Sequence, residues 1–572
     1  MIKRVWNYLS RYKGMLFLTF ACSLLGSILA LIAPRIIGKA IDSVAGEQRI
    51  NLDALGKHIG TLLLLYLSSF ILNRYAPLLA NKVANFTARD IRKDAFEKLH
   101  NLPVKYFDTH KHGDIISILS VDIENMTEGL LGLLTQMLTG IITVIGTLVF
   151  LAIMSPFVAF AVLLITPLSI IIAKFITSRS SEMFKQQQNI IGELGGLAEE
   201  SISGMSVIKT YLLEDTQYER FKEINARLYK AGQKAQFYSS LVNPTTRFVN
   251  HISYIAVGVS GGWLAINGVI SVGQIAAMLS YATQFAKPIN EITGVTTQMQ
   301  NAIASLRRVF TLIDAEPEKE DVSNMLEVKD GTVSFEKVSF SYDSSVPLIK
   351  DLSIDVSKNN VIAIVGPTGA GKSTLVNLLM RFYDIDDGRI TIDDTDIFDV
   401  TRDSLRKSFA MVMQDVWIFK GTVFDNIAFG KSDATMEEVV EAAKNAHIHS
   451  FIETLPKGYD TVITQEDLSV GQLQLLTIAR AMLVNPPMLI LDEATSSVDT
   501  RTEQYITRTF NRMMQGRTSF VIAHRLSTIK DADIILVMKD GSIVEKGNHV
   551  ELMKMKGMYY DLYKKSLTNI SN

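Results

Sequence analysis

Residues 361–379 read VIAIVGPTGAGKSTLVNLL, and this stretch decides the architecture of the second half of the chain. Val361 to Val365 is a short apolar run of strand type, and the residues from Lys372 onward have the texture of a helix. Between them Gly366, Pro367, Thr368, Gly369, Ala370, Gly371, Lys372 and Ser373 fit G-x-x-x-x-G-K-[ST], in the strand-to-helix context the pattern requires. Glycines let backbone N–H groups close around phosphates, and the start of a helix adds a favourable dipole. Lys372 is expected to reach the β- and γ-phosphates of ATP, and Ser373 to place its hydroxyl on Mg²⁺. Thr374 follows as a further nucleotide-binding residue.

A second stretch, PPMLILDEATSSVD at 486–499, delivers Asp492 and Glu493 at the end of an apolar strand. Open α/β sheets bind ligands at that edge. Asp492 suits Mg²⁺, a hard ion that takes oxygen ligands and keeps several waters. Glu493 is then placed to polarise an attacking water. A lone Asp-Glu pair is ordinarily a solvated strand end; its position after a phosphate loop favours the catalytic assignment. Around these motifs, VSFEKVSFSY, FAMVMQ, TSFVIAH and IILVM alternate with helical stretches. That alternation predicts an α/β domain with a largely parallel sheet over 325–572.

Residues 1–324 differ in texture. The chain has 572 residues, 48% of them hydrophobic, yet 20% charged. The excess apolar content concentrates in six stretches near the ~20 residues that a spanning helix needs. They are Leu16–Ile37, Gly60–Leu79, Leu131–Met154, Phe157–Ile176, Val249–Ile270 and Ile275–Val295. Net charge of −2 argues against nucleic acid as a partner. The single cysteine, Cys22, excludes an internal disulfide framework and a cysteine-rich metal site, and reads as a small hydrophobe. The polar connections 80–129 and 174–247 are rich in Lys and Arg, as is the N-terminus with Lys3, Arg4, Arg11 and Lys13. Positive charge stays on the cytoplasmic side, which predicts a multi-pass protein of the cytoplasmic membrane with both termini inside. The helical pattern of the two long connections predicts membrane helices that continue into the cytosol. Ile2–Lys13 reads as an interfacial helix preceding the first span.

With these motifs in hand, the chain resembles the ABC transporter superfamily, specifically bacterial exporter half-transporters. The resemblance covers nearly its whole length: an all-α six-helix transmembrane domain, then an α/β P-loop nucleotide-binding domain. It implies that Tyr342 stacks on adenine and that Gln414 contacts Mg²⁺ and water. It also implies that Asp499 belongs to a loop crossing to the partner, and that His524 contacts the γ-phosphate. The stretches YFDTHKHGDIISILSVDIE and EESISGMSVIKTYLLED resemble two coupling segments, with Ile118 and Val121 where the family often has arginine and asparagine. QEDLSVGQLQLLTIARAM, at 465–482, resembles the signature loop, in which Ser469, Gly471 and Gln472 cover a phosphate held by the partner chain. Val470 stands where a glycine is usual, and Leu473 and Leu475 where basic residues are usual.

The resemblance therefore implies ATP hydrolysis, with Glu493, His524 and Lys372 as the catalytic residues. Ser373, Gln414 and Asp492 are the residues implied to hold Mg²⁺. The function it implies is export of a small amphipathic drug, lipid or peptide by a dimer of half-transporters. An intact phosphate loop beside an altered signature favours a heterodimer. A homodimer stays open because Ser469, Gly471 and Gln472 are kept; so do an ATP-gated channel and a non-pumping sensor. Within or near the spans, Arg74, Arg247, His251, Lys287, Asn290 and Glu291 are candidates for contact with substrate.

Overall fold

The computed structural model describes residues 1–45, 51–319, 321–343, 345–414, 416–492, 500–522 and 529–570. It divides into two compact units, residues 1–101 with 111–316, and residues 102–110 with 317–572.

The first unit is helical. Its long helices are Lys13–Ala45, Leu52–His100, Leu138–Met154, Pro156–Ser203, Glu214–Ile266 and Val272–Asp314. Several run well past the apolar stretches, so the polar connections continue the membrane helices. Among the described residues, Lys3–Ala45, Leu52–His100, His112–Met154 and Glu214–Ile266 are long and apolar enough to cross a bilayer. The other two expected spans lie on Pro156–Ser203 and Val272–Asp314. At the tight turn between the third and fourth spans, Ser155 accepts a hydrogen bond from the Val158 N–H at 3.4 Å, ahead of Pro156. The expected interfacial segment is a helix, Ile2–Leu9, followed by a short 3₁₀ turn, Ser10–Tyr12.

Lipid gives no hydrophobic drive for helix association, so small side chains and polar bridges do that work. Between the first two long helices, Ser23, Gly26, Ser69, Ala76 and Ala80 are buried. Ser69 Oγ donates to the Gly26 carbonyl at 3.0 Å, and Asn73 Nδ2 donates to Ser69 Oγ at 3.0 Å. Cys22 is buried here too, as a small hydrophobe would be. Elsewhere in the unit, Ile118 packs against a core of Ile91, Ile123 and Met126, whereas Val121 is exposed.

The second unit holds two principal sheets. A six-stranded sheet runs in the order Ser542–Gly547, Ile534–Lys539, Val361–Val365, Thr518–Ile522, Met488–Asp492, Phe409–Val412. All neighbours are parallel except the Ser542–Gly547 edge strand. Alternation sorts its side chains onto two cores. Ile362, Ile364, Met488, Ile490 and Phe520 enter one, and Ala363, Val365, Leu489, Leu491 and Val521 the other. The sequence reading merged everything into one sheet. Instead VSFEKVSF pairs antiparallel with Ile349–Val356 and Asp387–Ile392 in a separate four-stranded sheet. Those partners carry their own alternation, with Leu352, Ile354 and Val356 in one and Ile390 and Ile392 in the other all buried.

Candidate nucleotide site

Parallel register brings the chemistry to one edge. Val412 lies opposite Leu491, and Asp492 opposite Ile522, so neighbouring strands end level with one another. The phosphate loop leaves Val361–Val365, Asp492 closes its own strand, and Gln414 follows Val412 by two residues, exposed. Glu493, Asp499 and His524 lie outside the described residues.

The loop itself shows why its glycines are glycines. Gly371, the N-cap of Lys372–Leu379, has φ +97°, which favours a residue without Cβ. A side chain on Gly366 would collide with the Met538 carbonyl of the neighbouring strand. Gly371 offers no side-chain cap, so the first N–H groups of the helix, at Lys372, Ser373 and Thr374, keep their capacity for an anion. Lys372 Nζ donates to the carbonyls of Gly366 and Pro367, each at 2.9 Å, and so folds back over the loop. Burial pulls its ammonium below the ordinary lysine range, and the Asp492 carboxylate opposes that shift.

The donor set fits Mg²⁺: one hydroxyl, one carboxylate and one amide oxygen, with no soft ligand.

Tyr342 stands at the rim, 41% exposed, its ring available for stacking. Its hydroxyl donates to Thr374 Oγ1 at 3.3 Å and accepts from Asn377 Nδ2 at 3.2 Å, which joins it to the loop helix. Tyr383 meets it edge-on, at 4.8 Å between centroids and 90° between planes. Tyr383 in turn donates to the Asp108 carboxylate on the short helix Val104–Thr109. Burial and that carboxylate raise the Tyr383 phenol well above its usual range. Sequence reasoning missed Tyr383 and Asn377. Their only signal is an aromatic after the loop helix and an amide one turn along it, and both patterns are common.

The signature residues are engaged elsewhere. Ser469 caps the helix Val470–Val484: its Oγ accepts from the Gln472 N–H at 3.3 Å, while Gln472 Oε1 accepts from the Ser469 N–H at 2.9 Å. Gly471 is buried. Val470 is the first helical residue, 53% exposed and not among the residues of positive φ, so nothing in the backbone demands glycine there. Leu473 and Leu475 are buried in the core of the unit, where they serve as packing.

Comparison with known proteins agrees over both halves. Residues 16–289 match the ABC transporter transmembrane region and residues 349–496 the ABC transporter family. YfiC, an ABC transporter ATP-binding protein of Bacillus subtilis (strain 168), is 42% identical over 98% of this chain and 93% of its own length. A fatty acid ABC transporter ATP-binding/permease protein of Mycobacterium bovis is 43% identical over 91% of this chain and 83% of its own. A solved bacterial Atm1-family ABC exporter with ATP bound superposes with a TM-score of 0.79 at 29% identity, covering 97% of this chain and 98% of that one. Taken with a phosphate loop set on a parallel sheet and a helical unit of membrane length, these likenesses place the chain in the ABC transporter family, as an exporter that couples ATP hydrolysis to transport across a membrane.

Proposed function

We propose that this chain is the catalytic half of a heterodimeric exporter in the cytoplasmic membrane, with its ATPase unit and both termini on the cytosolic side. Its cargo is a small amphipathic molecule, and the name of the mycobacterial relative makes a fatty acid the first candidate. The observation that carries the dimer is the state of the signature loop. Ser469 and Gln472 hydrogen-bond each other at a helix start, while Lys372 folds onto its own loop. In this reading the phosphate loop and the signature loop of the chain belong to two different sites, each completed by a second chain. The signature loop, altered at Val470, then covers the partner's nucleotide through Ser469, Gly471 and Gln472.

In the site holding this chain's phosphate loop, Lys372 binds the β- and γ-phosphates and the helix N–H groups orient them. Ser373, Asp492 and Gln414 would hold Mg²⁺, which supplies charge neutralisation to the phosphate oxygens. Glu493 takes the proton of the attacking water and His524 steadies the γ-phosphate. ATP binding favours the closed dimer only as far as ATP prefers that state, and hydrolysis resets it.

The test is ATPase activity and fatty acid uptake into inside-out vesicles, measured for the chain alone and with candidate partners. Glu493→Gln should retain ATP binding and lose steady-state hydrolysis. Near-normal turnover in that variant would remove Glu493 from its role. Robust transport by this chain alone would overturn the heterodimer.

A further inference from the structure

A groove of about 480 Å³ lies between the N-terminal helix Ile2–Leu9, the start of Lys13–Ala45, and residues 133–141 at the beginning of the third span. Phe17, Phe20, Leu134 and Ile141 contribute to a wall that is almost wholly apolar, and Lys13 is its one charged lining residue. Trp6 stands on the rim, 60% exposed. The only other polar side chain in the lining, Thr19, donates to the Met15 carbonyl at 2.8 Å.

The cations of this segment are not alike. Arg4 is bound to Asp314 in a two-pronged ion pair, with Nη2 to Oδ1 at 2.7 Å, and Arg11 pairs with Asp90 at 3.3 Å. Tyr8 and Tyr12 donate to Asp94 and Asp90, at 2.6 and 2.8 Å. These contacts fasten the helix to the protein. Lys13 is exposed and makes no ion pair among the described residues. A compact ammonium at the mouth of an apolar groove, beside an interfacial tryptophan, fits one ligand class: an amphiphile with an anionic head and an acyl chain.

We propose that this groove is a binding site for an anionic phospholipid of the inner leaflet, with the acyl chain against Phe17, Phe20 and Ile141 and the phosphate at Lys13. Positive charge marks the cytoplasmic side, and that leaflet carries the anionic lipids. The Arg4–Asp314 pair ties the same helix to the last residue of Val272–Asp314. A lipid seated here would therefore buttress the end of the sixth long helix. The inference rests on membrane insertion alone, independent of cargo and of dimer type.

The test uses the full chain, with its partner where one exists, in nanodiscs of equal parts phosphatidylcholine and phosphatidylglycerol. One lipid at a time carries a photoactivatable acyl chain, and labelled peptides are mapped by mass spectrometry. Phosphatidylglycerol should label residues 133–141 and 16–20 in preference to phosphatidylcholine. Lys13→Gln should cut that preference about fivefold, the effect of one basic residue near a membrane surface. Lys13→Arg and Lys3→Gln should preserve it. Ile141→Trp, which fills the groove from an exposed position, should reduce labelling by both lipids. Equal labelling by the two lipids in the wild type, or an undiminished preference in Lys13→Gln, would overturn the site. So would displacement of phosphatidylglycerol by free fatty acid, which would make the groove a cargo site. None of these readouts depends on ATP hydrolysis, so they stand apart from failure of the exporter reading.

Discussion

Ser469 and Gln472 hold each other in a reciprocal cap: each backbone N–H donates to the other's side-chain oxygen, at 2.9 and 3.3 Å. The residues assigned to a partner's phosphate are thus already satisfied within their own chain. Engaging a nucleotide means exchanging this cap for a phosphate contact, at little net cost because the helix N–H groups gain an anion in return.

Ser469→Ala removes the cap and should lower the stability of the ATPase unit by about 1 kcal/mol. In a heterodimer its effect on hydrolysis should be modest, because the phosphate it touches sits at the partner's site. In a homodimer it should reduce turnover roughly tenfold or more, since a charge-assisted bond of about 1.5–3 kcal/mol is lost from each site. Val470→Gly should leave the fold intact, as the position is exposed. Thermal unfolding and ATPase assays of the two variants, alone and with a partner, separate these outcomes.

Lys372→Ala should abolish or severely weaken nucleotide binding, by about a hundredfold or more in turnover where binding persists. Its ammonium is the cation held over the loop by the Gly366 and Pro367 carbonyls, and alanine leaves phosphate charge uncompensated there. Titration with a fluorescent ATP analogue and steady-state hydrolysis both check this. Normal values would move the operative nucleotide site away from the loop.

Tyr342→Ala should raise the KM for ATP about tenfold, since stacking of a base on an aromatic ring contributes about 1–3 kcal/mol. Tyr342→Phe should keep the stack and lose only the hydroxyl contacts to Thr374 and Asn377. Competition with GTP provides a second readout, because stacking tolerates either purine. An unchanged KM in the alanine variant would show that adenine rests elsewhere.

Asp393 predicts a pH dependence. Burial alone would raise its pKa, but N–H groups of Lys329, Thr332, Gly331 and Asp330 converge on its carboxylate and hold it below the ordinary aspartate range. The folded protein then releases this proton more readily than the unfolded chain does. The resulting stability is present above the unfolded aspartate pKa, near 3.9, and is lost as pH falls through the lower folded value. Asp393→Asn should therefore destabilise the protein at neutral pH by about 1–3 kcal/mol. The gap to wild type should close at strongly acidic pH. Thermal unfolding of the full-length protein in detergent across that range measures it.

What local sequence determined were the parts whose physics is local. Residues 361–374 spell a strand, a glycine loop and a helix start, since backbone approach to phosphate demands glycine at fixed spacing. The six apolar stretches declare membrane helices because a bilayer sets a minimum length. Tertiary structure decided what depends on remote partners. Val333–Phe340 pairs with Ile349–Val356 and Asp387–Ile392 in a sheet of their own, apart from the parallel one, and no local pattern chooses that pairing. Tyr383 joined the nucleotide site because packing set it edge-on to Tyr342 and its hydroxyl on Asp108. Leu473 and Leu475, which read as losses from the signature, proved to be core residues. Lys13 and Arg4 look alike in the sequence; only the position of Asp314, more than three hundred residues away, leaves one of them bound and the other available. Pattern along a chain records what a residue needs from its neighbours in sequence, and burial and pairing record what the fold brings to it.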